Sequence, residues 1–194
     1  MKVLIIGYGK MGHEIETELK YKKHEIVGII DQQTDWDNLN NKPEVAIEFS
    51  NPKVAYNNIE NCFKQNIPIV SGTTGCEQDI LKLMEICKKE NKTFIHSNNF
   101  SIGMNVFFSI NKKLAELMTK FDDYNVALTE KHHLSKIDVP SGTAITLAKQ
   151  IMQQNINKKE IVNYYTEDKN KLGITSIREG EAKGYHSVTY KSNI

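Results

Sequence analysis

Between Glu130 and Ala144 the chain reads EKHHLSKIDVPSGTA. His132 and His133 are adjacent, and Lys136 stands four residues after the first of them. Histidine exchanges protons near neutral pH, and lysine supplies a compact positive charge. Pro140 biases Val139 towards an extended backbone. Ser141 is then a natural helix N-cap, with Gly142 and Thr143 beginning the helix. The free N–H groups of such a first turn, with the Ser and Thr hydroxyls, form a cradle for an anion such as a carboxylate. Asp138, acceptor-only when ionised, suits the orientation of Lys136 or of the loop better than anion binding. The bland alternative is a solvated loop before a capped helix. The clustering of proton donors and cations argues against it, and a small polyanionic substrate suits it. The spacing alone does not say which histidine transfers a proton.

A second cluster lies at the start of the chain. GYGKMG places Gly7, Gly9 and Gly12 in the order G-x-G-x-x-G. The string follows an apolar run that reads as a strand and opens a helical pattern, the context a dinucleotide fingerprint requires. Gly7 permits a tight turn, Gly9 leaves room for a pyrophosphate, and Gly12 lets helix and strand approach. Asp31 closes the second strand, 19 residues beyond Gly12. A carboxylate there accepts hydrogen bonds from ribose hydroxyls and repels a 2′-phosphate. NADH is therefore favoured, with Gln32 rather than an arginine following, and Lys10 leaves NADPH as the alternative. SGTTG (71–75) and SNNFSIGMN (97–105) each follow a strand and are placed to line the same crevice. Glu48, in EFS, is either a strand-end carboxylate near the site or an exposed one.

These residues need a scaffold. Strands are expected at 2–6, 25–31, 44–49, 67–70 and 93–97, with helices at about 11–21, 52–65 and 77–91 between them. The segment 32–42 reads as loop. Continuous apolar strands alternating with helices indicate a parallel sheet covered on both faces. After Asn98 the pattern changes to a helix over 102–118, a strand over 124–132, a helix from the Ser141 cap, and strands at 161–167, 174–179 and 185–192. The expected fold is α/β: a Rossmann-type domain over 1–100, then an α+β domain with an open mixed sheet over 101–194.

Composition sets the remaining bounds. The chain has 194 residues and a formal net charge of +1, so nothing demands nucleic acid or an acidic membrane surface. No apolar run reaches the roughly 20 residues of a membrane span. Three scattered cysteines, Cys62, Cys76 and Cys87, have no metal-ligand spacing. They fit a reducing, cytoplasmic compartment, and no metal site is expected. Arg178 is the only arginine.

The stretch from Glu130 to Ala144 closely resembles the signature of the dihydrodipicolinate reductase (4-hydroxy-tetrahydrodipicolinate reductase) family, E-x-H-H-x-x-K-x-D-x-P-S-G-T-A. The glycine loop, EFS in place of D-F-S or D-F-T, SGTTG, NFSIGMN and REGEAKGYHSV also resemble family motifs. The resemblance implies hydride transfer from NAD(P)H to a cyclic unsaturated dicarboxylate in the diaminopimelate route to lysine. It implies His132 as proton donor and acceptor, Lys136 as proton donor, and His133, Gly142 and Thr143 as substrate ligands. It assigns the nucleotide to Gly7, Tyr8, Gly9, Lys10, Met11, Gly12, Asp31, Gly72, Thr73, Thr74, Ser97, Asn98, Asn99 and Phe100. It implies a homotetramer, if the chain is complete, and domain closure about a hinge. The glycine loop is one residue shorter than is common in the family. The sequence stops at KSNI, where family members continue through a further strand and helix, so the second domain reads as truncated. The competing readings are another two-domain NAD(P)-dependent dehydrogenase, against which the His-His-x-x-Lys run argues, or an inactive nucleotide-binding paralogue.

Overall fold

The computed structural model describes residues 1–31, 36, 39 and 41–193. Most of the expected loop over 32–42, Gln32 included, lies outside the described residues. The chain divides into two compact units, Met1–Asn98 and Asn99–Ile194.

In the first unit five strands form one parallel sheet: β1 (Lys2–Ile6), β2 (Glu25–Ile30), β3 (Val45–Glu48), β4 (Ile69–Ser71) and β5 (Phe94–His96). Their order is β2-β1-β3-β4-β5. The connections are α1 (Lys10–Tyr21), α2 (Pro52–Lys64) and α3 (Glu77–Lys89), after β1, β3 and β4. Alternate residues of β1 feed two cores. Leu4 and Ile6 pack with Ala55, Ile59 and Phe63 of α2 and with Ile80 and Leu83 of α3. Val3 and Ile5 pack with Ile15 and Leu19 of α1 on the opposite face. Helices thus cover both faces, which is why the strands are apolar throughout. Met11, in the first turn of α1, is about half exposed. α2 starts where its cap dictates: Asn51 accepts from Lys53 N, and Pro52 fills the first turn. The strand order reverses between β1 and β3, the place where open α/β sheets form a ligand crevice.

The second unit holds α4 (Ile102–Met118), β6 (Asn125–His132), α5 (Gly142–Gln154), β7 (Glu160–Val162), β8 (Lys171–Arg178) and β9 (Tyr185–Lys191). Its sheet runs β7-β8-β6-β9. β6 and β8 are parallel, and β6 and β9 antiparallel. Along β6, Val126, Leu128 and Glu130 are buried while their neighbours are not. Val126 and Leu128 pack with Leu172 and Ile174 of β8 and with Ala144, Leu147, Ala148 and Ile151 of α5. Truncating fully buried Leu147 to Ala would cost about 2–5 kcal/mol and loosen α5 from the sheet.

The expected strand over 161–167 shortens to Glu160–Val162. Gly173 of β8 explains the difference: a Cβ there would lie 2.7 Å from the Tyr164 carbonyl oxygen and 3.1 Å from Thr166 N. Chain 164–166 crosses close over the sheet at this glycine instead of pairing alongside it. Side-chain turns then take over, with Thr166 Oγ1 accepting from Asp168 N and Asp168 Oδ1 accepting from Asn170 N.

Candidate functional site

The glycine turn after β1 is fixed by close backbone approach. Gly7 has φ +86°, and a Cβ there would sit 2.2 Å from the Phe49 carbonyl oxygen. A Cβ on Gly12 would lie 2.3 Å from the Gly7 carbonyl oxygen. Gly9 differs: a Cβ there would meet nothing within 4 Å. Its bare face is open space at the N-terminus of α1. Gly7, Tyr8, Gly9, Ile30, Asp31 and the segment from Phe49 to Asn51 line a cleft of about 500 Å³. A second cleft beside it is lined by Gly9, Lys10, Met11, Ser50, Gly72, Thr73 and Thr74. A dinucleotide fits this set: an open glycine at a helix N-terminus for phosphate, and an exposed carboxylate at the end of β2 for a ribose.

Glu48, undecided from sequence, is fully buried. Its Oε1 accepts from Ser50 N at 3.0 Å, Thr73 Oγ1 at 2.8 Å and the Ser50 hydroxyl, and its Oε2 accepts from Ser71 Oγ at 2.5 Å. It therefore ties the turn after β3 to the turn after β4. Gly72 is required there because a Cβ would lie 2.1 Å from the Phe49 ring. Thr73 points inward to Glu48, whereas Thr74 is exposed. Ser97 and Asn98 end the first unit, and Asn99 and Phe100 begin the second. Ser97 N donates to Ser71 O, and Asn99 Oδ1 accepts from Ser101 N. Burial pushes the Cys62 thiol up to about 12, with Glu48 adding to the effect, so this cysteine is a packing residue.

In the second unit the same face of the sheet changes character along its length. Under α5 it is apolar. At the carboxyl end of β6 it presents Glu130 and His132, joined by Arg178 of β8 and His186 of β9. Register does this, since His132 is opposite Arg178 and Glu130 is opposite His186. Glu130 is fully buried. Both its oxygens accept from Ser141 N at 3.1 Å, and Arg178 Nη2 donates to Oε1 at 3.3 Å. Arg178 also donates from Nη2 to Asp138 O at 2.7 Å and from Nε to Lys136 O at 3.3 Å, holding the loop after β6. Lys136 Nζ donates to Asp138 Oδ1 at 2.6 Å. Ser141 caps α5 by accepting from Ala144 N at 3.2 Å. A Cβ on Gly142 would meet nothing within 4 Å, so the first turn of α5 faces open space. His132 is 12% exposed, and its Nε2 lies 3.4 Å from His186 Nε2. Exposed His133 turns aside, with Nδ1 2.7 Å from Ser135 Oγ.

Burial opposes the negative charge of Glu130, but hydrogen bonds, those from Ser141 foremost, outweigh it and hold the carboxyl below its usual range. Burial pushes His132 below the usual histidine range. Glu130 pulls it back, and Lys136 and Arg178 reinforce the lowering. His186 is lowered by burial first and then by His132. The site therefore gathers an N–H cradle, the cations Lys136 and Arg178 and a pair of imidazoles around one buried carboxylate. Such a set can hold a small dianion and give it a proton.

Two family models match the chain: "Dihydrodipicolinate reductase, N-terminus" over residues 1–100 and "Dihydrodipicolinate reductase, C-terminus" over residues 103–194. The chain belongs to the dihydrodipicolinate reductase family. It is 48% identical to the 4-hydroxy-tetrahydrodipicolinate reductase of Christiangramia forsetii, over the whole of this chain and 81% of that one. It is 35% identical to the enzyme of that name from Staphylococcus haemolyticus, over 98% of this chain and 82% of the relative. Among solved structures it resembles a dipicolinate-bound dihydrodipicolinate reductase from Paenisporosarcina sp. TG-14, with TM-score 0.71 and 22% identity, covering all of this chain and 84% of that one. At that identity the likeness is one of fold.

Among the residues of this dihydrodipicolinate reductase family member, Glu48, Glu130, Arg178 and His186 were given no role from sequence. Glu130 and His132 are two apart on a strand, which marks a shared face. Arg178 and His186 lie in REGEAKGYHSV, which resembles a family motif, but that motif does not say that they meet Glu130; strand pairing brings them there.

Proposed function

We infer that the chain is an oxidoreductase that reduces 4-hydroxy-tetrahydrodipicolinate to tetrahydrodipicolinate with NAD(P)H, in the diaminopimelate route to lysine. The observation that carries this reading is its close relationship, over its whole length, to the Christiangramia reductase.

We propose that the first unit binds the nucleotide and the second the substrate. When bound, NAD(P)H supplies the hydride. The open face of Gly9 and the first turn of α1 receive its phosphates, and Asp31 accepts from ribose hydroxyls, which favours NADH over NADPH. Lys10, Met11, Gly12, Gly72, Thr73 and Thr74 complete that cleft, with Ser97, Asn98, Asn99 and Phe100 as further nucleotide contacts. In the second unit the N–H groups of Gly142 and Thr143 bind one carboxylate, with Ser141 holding the cap and His133 adding a contact. Lys136 offers charge and a proton. His132 gives a proton to the reduced ring, and its lowered pKa makes its charged form the stronger donor. Glu130 and Arg178 hold the loop and helix that carry these groups.

We also propose a cytoplasmic homotetramer. The free thiols of Cys62, Cys76 and Cys87 support the compartment. The sheet face opposite α5, carrying partly exposed Ala127, Thr129 and Thr175, supports the assembly, and light scattering tests it.

The test of function is NADH oxidation with freshly generated 4-hydroxy-tetrahydrodipicolinate, with product identified by mass. Oxidation is expected only with that substrate. Oxidation that ignores the substrate, or none at all, would contradict the reading.

A further inference from the structure

Three potential ligand atoms converge inside the second unit. His132 Nε2 and His186 Nε2 are 3.4 Å apart. Glu130 Oε2 lies 3.5 Å from the first and 3.7 Å from the second. Ligand atoms held about 2.0–2.2 Å from one zinc ion at tetrahedral angles stand about 3.3–3.6 Å apart. The triangle described here has a centre about 2.0 Å from each corner, the zinc–nitrogen distance. Protons carried on Nε2 join these atoms only pair by pair, each imidazole donating to Glu130 or accepting from its neighbour. A divalent ion would satisfy all three.

We propose that Glu130, His132 and His186 form a binding site for a zinc-class divalent transition-metal ion, and that its occupation switches the reductase off. The donor set is two imidazoles and one carboxylate, which suits Zn²⁺ and Co²⁺ over Mg²⁺ or Ca²⁺. Among the described residues it is one trio of such groups whose ligand atoms all lie within 4.8 Å. The surroundings orient it. Ser141 N donates to both Glu130 oxygens, and Arg178 engages Oε1, so Oε2 keeps one lone pair for the imidazoles. Ser141 Oγ, 3.2 Å from His186 Nε2, borders the fourth position. Arg178 and Lys136 set a limit on affinity by their charge, but Lys136 is paired with Asp138 and Arg178 spends its other donors on backbone carbonyls. Glu130 and His132 share a face of β6 by their spacing, and strand register brings His186 of β9 to them. The inhibitory consequence rests on the reading of His132 as proton donor, because a metal on Nε2 occupies the lone pair that accepts a proton there. The binding site does not rest on it.

The experiment titrates the full chain, free of nucleotide, with Co²⁺ and then with Zn²⁺. The expected result is one equivalent of Co²⁺ with the visible absorption of a four-coordinate nitrogen–oxygen site, displaced by Zn²⁺. Glu130→Gln and His186→Gln should each weaken binding more than about a hundredfold, beyond the loss typical of an outer-shell partner, while His133→Gln leaves it unchanged. Circular dichroism of each variant separates lost binding from lost fold, and the wild-type spectrum tests the site without any variant. Zn²⁺ should stop NADH oxidation in the wild type, and a chelator should restore it. No tight equivalent, a thiolate charge-transfer band, or a spectrum indifferent to His186→Gln in a folded variant would overturn the site. Binding at the trio with turnover untouched would support the site and contradict the role given to His132. Failure of binding with normal turnover would overturn the site and leave the reductase reading standing.

Discussion

Glu48 and Glu130 are both strand-end carboxylates without exposed surface, one in each unit. Their surroundings differ in kind. Glu48 is met by the hydroxyls of Ser50, Ser71 and Thr73 and by a backbone N–H, all neutral donors. Glu130 is met by the Arg178 guanidinium, the Ser141 N–H and two imidazoles. The first arrangement braces two turns that shape the nucleotide clefts. The second keeps a negative charge beside two imidazoles and a guanidinium. A buried carboxylate is thus a brace or a working charge according to what donates to it.

The sharpest way to probe this contrast is to remove charge from the loop that Glu130 and Arg178 support. Lys136→Ala should lower turnover by about 10²–10⁴-fold, the usual range for a general acid, with NADH affinity little changed. Equal loss of nucleotide binding, measured by fluorescence titration, would erase the division between the units. The converse probe is Gly9→Val. Because a side chain at Gly9 meets only open space, folding should be untouched and NADH affinity should fall more than tenfold, about 1.4 kcal/mol or more. Lost stability would show that Gly9 serves the fold, as Gly7 does.

Legibility divides along similar lines. The glycine turn, the β–α alternation and the Ser141 cap could be read because they are local: they depend on residues within a few positions of one another. The role of Glu48 could not, since beyond Ser50 its donors lie 23 and 25 positions away on β4 and the turn after it. Arg178 and His186 were likewise invisible as partners of Glu130, because pairing between strands decides that contact. The strand expected at 161–167 failed for the same reason. Its residues are β-formers, but Gly173 admits the chain across the sheet and the ladder ends.

Smaller effects sharpen the comparison further. Replacing either carboxylate by its amide should cost about 1–3 kcal/mol through mispaired buried donors, read from denaturant unfolding. The Glu130 carboxyl is held below its usual range in the folded chain, so the stability it contributes is present above its unfolded pKa and fades as pH falls through the folded one. Glu130→Gln should remove that part of the acid dependence, and an unchanged pH profile would contradict it. Smallest of all, Asp31→Ala should weaken NADH by a few-fold, about 1 kcal/mol, and NADPH less. An unaltered preference would remove Asp31 from the ribose contact.

The central claim is the division of ligands between the two units, and amide NMR of the labelled chain tests it most directly. NADH should shift the N–H resonances of Gly7, Gly9 and Gly12, and dipicolinate those of Gly142 and Thr143. Dipicolinate that moves the glycine turn and leaves Gly142 and Thr143 unmoved would contradict the account.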